Sequence, residues 1–301
     1  MPSVALAGAT GNLGPAILTS LLSASIPTTV LTRPSSASKI PSGPAIREVD
    51  YTSHESLVAA LRGIDVVVSN LGFADLFTNQ KALIDAAVEA GVSRFIPSEF
   101  GSDTANPLVR KLPVFADKVK VQEYLEGVVE KNSGFSYTYL YTNSFLDWQL
   151  SIGLIVNLKE HTATLYDGGD VPFSATRLST IGKAVVSIVK DHLEDSKNKN
   201  LYVHDAVLTQ KKLIEIAKRI DGKEWTTTEL ATADAEKSSY ELLNSGDPAK
   251  IANSPYGFIF RATWGEGYGG DYTNKNNNEL LDIPTLGDEE LEKFVEGIIK
   301  S

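Results

Sequence analysis

The sequence predicts an α/β protein built on a doubly wound parallel sheet, with a smaller α+β part after it. Three observations point there. A short apolar strand, Val4 to Ala7, runs into the glycine-punctuated stretch GATGNLG at 8 to 14. A helical period starts directly beyond it, with Ile17, Leu18, Leu21 and Leu22 recurring on one side. Strand-like and helix-like segments then keep alternating as far as about residue 140, the βαβ pattern of a parallel sheet.

The glycine turn comes first. Gly8 allows a tight turn, Gly11 lets backbone approach a pyrophosphate, and Gly14 lets the helix sit close to the sheet. Thr10, Asn12 and Leu13 lie between them, where free N–H groups at a helix start face phosphates. The spacing is GxxGxxG rather than GxGxxG. A tight βα turn without a ligand is the alternative.

Thr28 to Thr32 is the second strand, rich in β-branched residues. An NAD-preferring chain carries an acid about 20 residues beyond the glycines to hold the ribose hydroxyls. Here Arg33 stands at that place, with Ser35, Ser36, Ser38 and Lys39 behind it. That set suits a ribose 2′-phosphate, hence NADPH rather than NADH. A solvated basic loop is the plainer reading.

Ile46 to Val49 is the third strand, ending at Asp50, a residue expected near the adenine or simply in a loop. Ser56 to Arg62 is a helix. Asp65 to Leu71 is a fourth, almost wholly apolar strand, as in a sheet covered on both faces. Leu71, Gly72 and Phe73 mark its carboxyl edge, where open α/β sheets bind ligands. Phe77 to Ala90 is a helix, stopped by Gly91. Ser93 to Pro97 is the fifth strand, leading into Ser98, Glu99 and Phe100.

A helix is predicted over Pro113 to Glu130. Val114, Lys118, Val121, Leu125 and Val128 form one stripe, while Lys120, Gln122, Glu123, Glu126 and Glu130 lie on other sides. A lysine inside an apolar stripe either snorkels outward or serves something buried. Burial would lower its pKa, which suits proton transfer. Ser136 to Leu140 is the sixth strand. Asn143, Phe145 and Trp148 follow it as ligand wall or as core.

Beyond residue 150 the pattern supports a strand at Thr162 to Tyr166, helices at Thr180 to Leu193, Thr209 to Ile220, Ala231 to Leu243 and Asp288 to Ile299, and a returning strand at 200 to 203. The aromatic, glycine-rich run from Ser254 to Tyr272 reads equally as a lid, a pocket floor or core. The expected division is a dinucleotide-binding part over 1–150 and a substrate part over 151–301.

Composition narrows the classes. With 42% hydrophobic residues in 301, a sizeable core is available. The net charge of −10 argues against nucleic acid and anionic membrane surfaces. Zero cysteines exclude disulfides, thiolate catalysis and cysteine-type zinc sites in this chain. The four histidines show no metal spacing. No apolar run approaches the roughly 18 residues of a membrane span, and the start of the chain lacks a secretory pattern, so cytoplasm is expected. No tyrosine stands four residues before a lysine, so the usual Tyr-xxx-Lys pair of short-chain dehydrogenases is absent.

GATGNLG at 8 to 14, Arg33 after the second strand, FIPSEFG at 95 to 101 and VFADKVKV at 114 to 121 together resemble the NmrA-like, isoflavone-reductase-like group of atypical short-chain dehydrogenases. Phenylcoumaran benzylic ether reductases and pinoresinol–lariciresinol reductases belong to it. The resemblance is good over about 1 to 148, is loose afterwards, and has a fungal flavour. It implies a Rossmann-type fold and NADPH as cofactor. It assigns Lys118, in Phe115-x-x-Lys118, to general acid/base work beside the nicotinamide. It assigns Arg33 and Lys39 to the NADP phosphate, and the Pro97 to Phe100 segment to the nicotinamide side. The function so implied is an NADPH-dependent reductase of a small aromatic or polyketide-like molecule, as monomer or homodimer. The alternative is an NmrA-like regulator that binds NAD(P) without turnover.

Overall fold

The computed structural model describes residues 1–300. In chain order the first half holds β1 (Val4–Ala7), α1 (Gly14–Ser23), β2 (Thr28–Thr32), β3 (Ala45–Glu48), α2 (His54–Leu61), β4 (Val66–Ser69), α3 (Leu76–Glu89), β5 (Arg94–Ile96), α4 (Ala116–Lys131) and β6 (Ser136–Tyr141). Then come β7 (Ser144–Phe145), α5 (Leu146–Ser151), β8 (Thr162–Tyr166), β9 (Phe173–Thr176), α6 (Leu178–Lys190), β10 (Lys199–Tyr202), β11 (Ala206–Leu208) and α7 (Gln210–Asp221). The chain closes with β12 (Thr226–Leu230), α8 (Thr232–Leu243), α9 (Pro248–Ile251), α10 (Pro255–Trp264) and α11 (Asp288–Ile299).

Seven strands form the main sheet in the order β10-β6-β5-β4-β1-β2-β3, every pairing parallel. This is the doubly wound α/β fold. The order reverses between β1 and β4, so the crevice at their carboxyl ends is the place where such sheets take ligands. Both strands are buried at every position, which explains why they are apolar throughout except for Ser69 at the end of β4. One face of the sheet is covered by α1 and α6, through Ile17, Leu18, Leu21, Ile181, Val185 and Ile188. The other is covered by α2, α3 and α4, through Leu57, Leu61, Leu83, Ile84, Val121 and Leu125.

Two elements beyond residue 150 belong to these layers. α6 packs on α1, and β10 extends the sheet beside β6 with Leu201 opposite Leu140. The remainder forms a second assembly. It contains a three-stranded sheet β11-β9-β7, the parallel pair β8–β12, and a core of Leu146, Phe173, Leu213, Trp264, Leu291 and Val295.

Several local expectations are corrected. Residues Pro113–Phe115 form a 3₁₀ turn, so α4 starts at Ala116 rather than at the proline. Gln122 is buried, not on an outer side, because it hydrogen-bonds inside the fold. Ser254 to Tyr272 contains the helix α10, which the sequence does not announce: both of its faces are apolar, so no polar stripe marks its period. Within that run Phe258, Trp264, Tyr268 and Tyr272 are core, whereas Tyr256 is exposed. The short strands β7, β9, β11 and β12 carry no sequence signal of their own; β12 is exposed along its whole length and has no buried alternation.

The contact of α1 with α6 requires a small residue. A Cβ on Gly182 would lie 2.4 Å from Ser20 Oγ and 2.7 Å from the Ala16 carbonyl oxygen. Gly182→Val therefore has to push the two helices apart, at a cost of about 1–3 kcal/mol. Gly127 on α4 meets nothing within 4 Å. Gly127→Ala is expected to stabilise by about 0.5–1 kcal/mol through helix propensity. Thermal unfolding should show a fall of several degrees for the first variant and a small rise for the second; equal midpoints would refute the packing described.

Candidate active site

The site lies where β1 and β4 end. Gly8 follows β1 with φ +82°, and a Cβ there would strike the Asn70 carbonyl oxygen at 2.1 Å. Asn70 follows β4 and donates its side-chain amide to the Gly8 carbonyl at 3.2 Å. Gly14 is confined in the same way, with the Gly8 carbonyl oxygen 2.3 Å from its would-be Cβ. These two glycines bring turn, helix and sheet together. Gly11 differs: its would-be Cβ meets nothing closer than 3.7 Å, and the residue opens to the surface of the crevice. The N–H groups of Asn12, Leu13 and Gly14 have no hydrogen-bond partner among the described residues. No acidic residue stands in the first turn of α1. Unpartnered N–H groups, a helix start and an open glycine are what a bound diphosphate requires.

Two cavities meet over this turn and share Gly11, Asn70, Leu71 and Gly72. The smaller, about 260 Å³, also takes in Gly8, Thr10, Arg33, Ser36 and Tyr51. The Arg33 guanidinium stands 5.9 Å from the centroid of the Tyr51 ring. Burial pushes the Tyr51 phenol up to about 12, so that ring is a neutral flat wall. Asp50, expected near an adenine, instead points to solvent and accepts from Thr52, and its neighbour Tyr51 takes the wall position. Lys39, on the exposed end of a 3₁₀ turn, lines neither cavity.

The larger cavity, about 420 Å³, runs from Asn12 and Leu13 towards the second assembly. Phe73, Phe115, Phe145, Trp148 and Tyr256 contribute aromatic rings to its walls. Ser98, Glu99 and Phe100 form one side, and Asn143 another. Pro97 lies buried behind them, its carbonyl accepting from the Glu99 N–H at 2.7 Å. Phe100 has φ +29° and Asn143 φ +47°, conformations that non-glycine residues adopt only when their surroundings hold them. Asn143 is held by a 2.6 Å bond from its amide to the Gly270 carbonyl and by its own N–H on the Gly101 carbonyl.

Lys118 projects from the first turn of α4 into this cavity and is 8% exposed. Its amine donates to the Glu99 carbonyl and stands 5.9 Å from the Phe73 ring centroid. Among the described residues it forms no ion pair. Burial lowers its pKa, and the nearby Glu99 carboxylate opposes that shift. Glu99 is 2% exposed; burial raises its pKa, and Lys118, Thr104, Gln122 and Arg110 act against the rise. The stripe reading placed Lys118 inward, and the structure has it there. Asn70, Tyr51, Gln149, Ile259 and Thr263 line the cavities but are not among the site residues named from the sequence, whereas Ser36 belongs to the hydroxyl set read behind Arg33. Asn70 had a signal, a polar residue beside Ser69 at the carboxyl end of an apolar strand, and the α10 residues fall in the aromatic, glycine-rich run that reads as a lid, a pocket floor or core.

The four histidines engage Glu89, Asp221, Asp195 and Ser174 separately, and no metal-holding group of three occurs among the described residues. No helix among them is long and apolar enough to cross a membrane.

Comparison with known proteins bears on the family and the fold. The chain is 33% identical over 297 residues to the oxidoreductase aprR of Aspergillus flavus, covering 96% of each. It is 30% identical over 253 residues to pinoresinol reductase 1 of Arabidopsis thaliana, covering 77% of this chain and 78% of that one. The solved complex of leucoanthocyanidin reductase with NADPH from Vitis vinifera superposes with a TM-score of 0.78 over 99% of this chain and 100% of that one, at 23% identity, so the fold is shared. The NmrA-like family model matches residues 2–240, and the chain therefore belongs to the NmrA-like family.

Proposed function

We propose that this protein is an NADPH-dependent oxidoreductase acting on a small, uncharged aromatic molecule. The observation that carries the reading is the amine of Lys118, buried in an aromatic cavity that opens directly onto the glycine crevice. The relatives named as oxidoreductases and reductases support the same class.

In this reading the N–H groups of Asn12, Leu13 and Gly14, with Gly11 beneath, hold the pyrophosphate of NADP. Arg33 and Ser36 face the ribose 2′-phosphate, and Tyr51 walls the adenosine. Lys39 reaches the phosphate only by swinging its side chain inward. Leu71, Gly72, Phe73 and the Pro97–Phe100 segment border the nicotinamide, with Asn143 and Phe145 opposite. Residues 1–150 with α6 and β10 form the cofactor-binding part, and the rest of 151–301 closes the substrate side.

When bound, NADPH supplies the hydride. The chain handles the proton and the geometry. Lys118 stands ready to give a proton to a substrate oxygen that gains charge, or to receive one in the reverse direction. Phe73, Phe145, Trp148 and Tyr256 offer flat apolar surface that orients an aromatic ring and excludes water. Among the described residues the lining carries no cation besides Lys118, which this reading keeps as the proton donor, and its one acid, Glu99, is tied into the interior, so a neutral substrate fits the site best. A regulator without turnover gives no reason to bury an amine here.

Lys118→Ala should retain NADPH binding and lose turnover by about 10²–10⁴-fold, the usual share of general acid catalysis. A screen of NADPH oxidation over aromatic enones, quinone methides and benzylic ethers, with both proteins side by side, reads this; equal turnover removes Lys118 from the mechanism. As pH rises through the lowered pKa of Lys118 the proton donor is lost. Turnover in the reductive direction should therefore fall on the alkaline side at a pH below the ordinary lysine value of 10.5. Arg33→Ala should weaken NADPH binding at least tenfold and leave NADH binding nearly unchanged, the loss of about 1.4 kcal/mol or more from a charge-assisted phosphate contact. Calorimetric titration of both cofactors checks it, and parallel losses would remove the phosphate from Arg33.

A further inference from the structure

We propose that Glu99 is a positioning residue for Lys118: its carbonyl fixes the amine, and its buried carboxylate, clamped by Thr104 and Gln122, supplies the opposing charge. The proposal rests on the reading of Lys118 as the proton-handling group and assigns the Glu99 side chain a task apart from cofactor contact.

The geometry is specific. Lys118 and Gln122 are one helical turn apart on α4 and are both buried. Lys118 holds the main-chain carbonyl of Glu99, and Gln122 holds its side chain, with Nε2 donating to Oε1 at 3.2 Å. Thr104 donates to the other carboxylate oxygen at 2.7 Å. The clamp is itself anchored: Gln122 accepts from Arg110 Nη1 at 2.6 Å and donates to the Tyr141 hydroxyl at 3.0 Å and to Thr104. One helix therefore grips both ends of a single residue. Phe100, next in the chain, has a positive φ of +29°.

A carboxylate so deep, with no ion pair among the described residues, carries a desolvation cost that its hydrogen bonds from Thr104 and Gln122 offset only in part. The charged and titratable groups around it are Lys118 on α4, Arg110 on the 3₁₀ turn Val109–Lys111, Tyr139 and Tyr141 on β6, and Tyr272. Burial raises all three tyrosines, so they stay neutral wherever Lys118 titrates. Arg110 is already engaged with Gln122 and the exposed Glu123. Among the described residues, Glu99 is the anion whose charge opposes the lowering of the Lys118 pKa by burial.

The test reads the amine directly and needs no substrate. The full chain is labelled with fluorodinitrobenzene across pH, and the Lys118 peptide is quantified by mass spectrometry against the exposed Lys237. Only the neutral amine reacts, so the profile reports its titration. Glu99→Gln should move the midpoint down by at least one pH unit, a tenfold rise in labelling below the midpoint. Gln122→Met and Thr104→Val, which keep the charge but loosen it, should move it the same way by less. Glu123→Gln, which removes only the surface partner of Arg110, should leave it in place. A Glu99→Gln profile that coincides with wild type overturns the proposal. If that variant does not fold, unchanged midpoints in both Gln122→Met and Thr104→Val overturn it instead. An active Lys118→Ala protein would sink the catalytic reading without touching this result.

Discussion

Backbone packed on backbone at the heads of β1 and β4 is the constraint from which the rest follows. Gly8 leaves no room for a Cβ against Asn70, and Gly14 leaves none against Gly8. With those contacts closed, α1 must begin at the reversal point of the strand order. Its unpartnered N–H groups then face a crevice rather than solvent at random. Gly11 is left as the one glycine of the three whose bare face is open. The same turn defines the border shared by the two cavities, so the region suited to an adenosine and the region suited to a reacting ring are joined through it.

The second determinant is electrostatic. Lys118 and Glu99 are both removed from water, yet they do not meet as a close ion pair. The amine rests on a carbonyl and the carboxylate rests on an amide and a hydroxyl. Each charge thus keeps its hydrogen bonds while the field of one is felt by the other. Such an arrangement holds an ammonium in place while leaving two of its three protons free for a ligand. The aromatic walls lower the local dielectric and so strengthen that field.

Much of this was legible from residues alone, because the signals are local. An unbroken apolar strand, a glycine turn and a 3.6-residue stripe identify β1, α1 and α4, and the stripe itself turns Lys118 inward. Alternation and crossover handedness give a parallel sheet covered on both faces, but not the order of its strands. What was not legible depends on distant partners. β7 and β9 pair across about 30 residues and are two and four residues long, too short for any period. α10 presents Phe258 and Ala262 to one core and Ile259 and Thr263 to the cavity, so both sides read as apolar. Gln122 looks like a surface residue in the heptad, and only the meeting of Glu99, Thr104 and Tyr141 explains its burial. Asp50 and Tyr51 are adjacent, and a one-residue shift decides which of them faces the cavity.

The most direct measurement is a crystal structure of the protein soaked or grown with NADP⁺. The account expects the pyrophosphate on the N–H groups of Asn12, Leu13 and Gly14, and the nicotinamide in the aromatic cavity with the Lys118 amine beside it. A dinucleotide seated elsewhere, or a Lys118 side chain turned out into solvent with the ring distant from it, would contradict it.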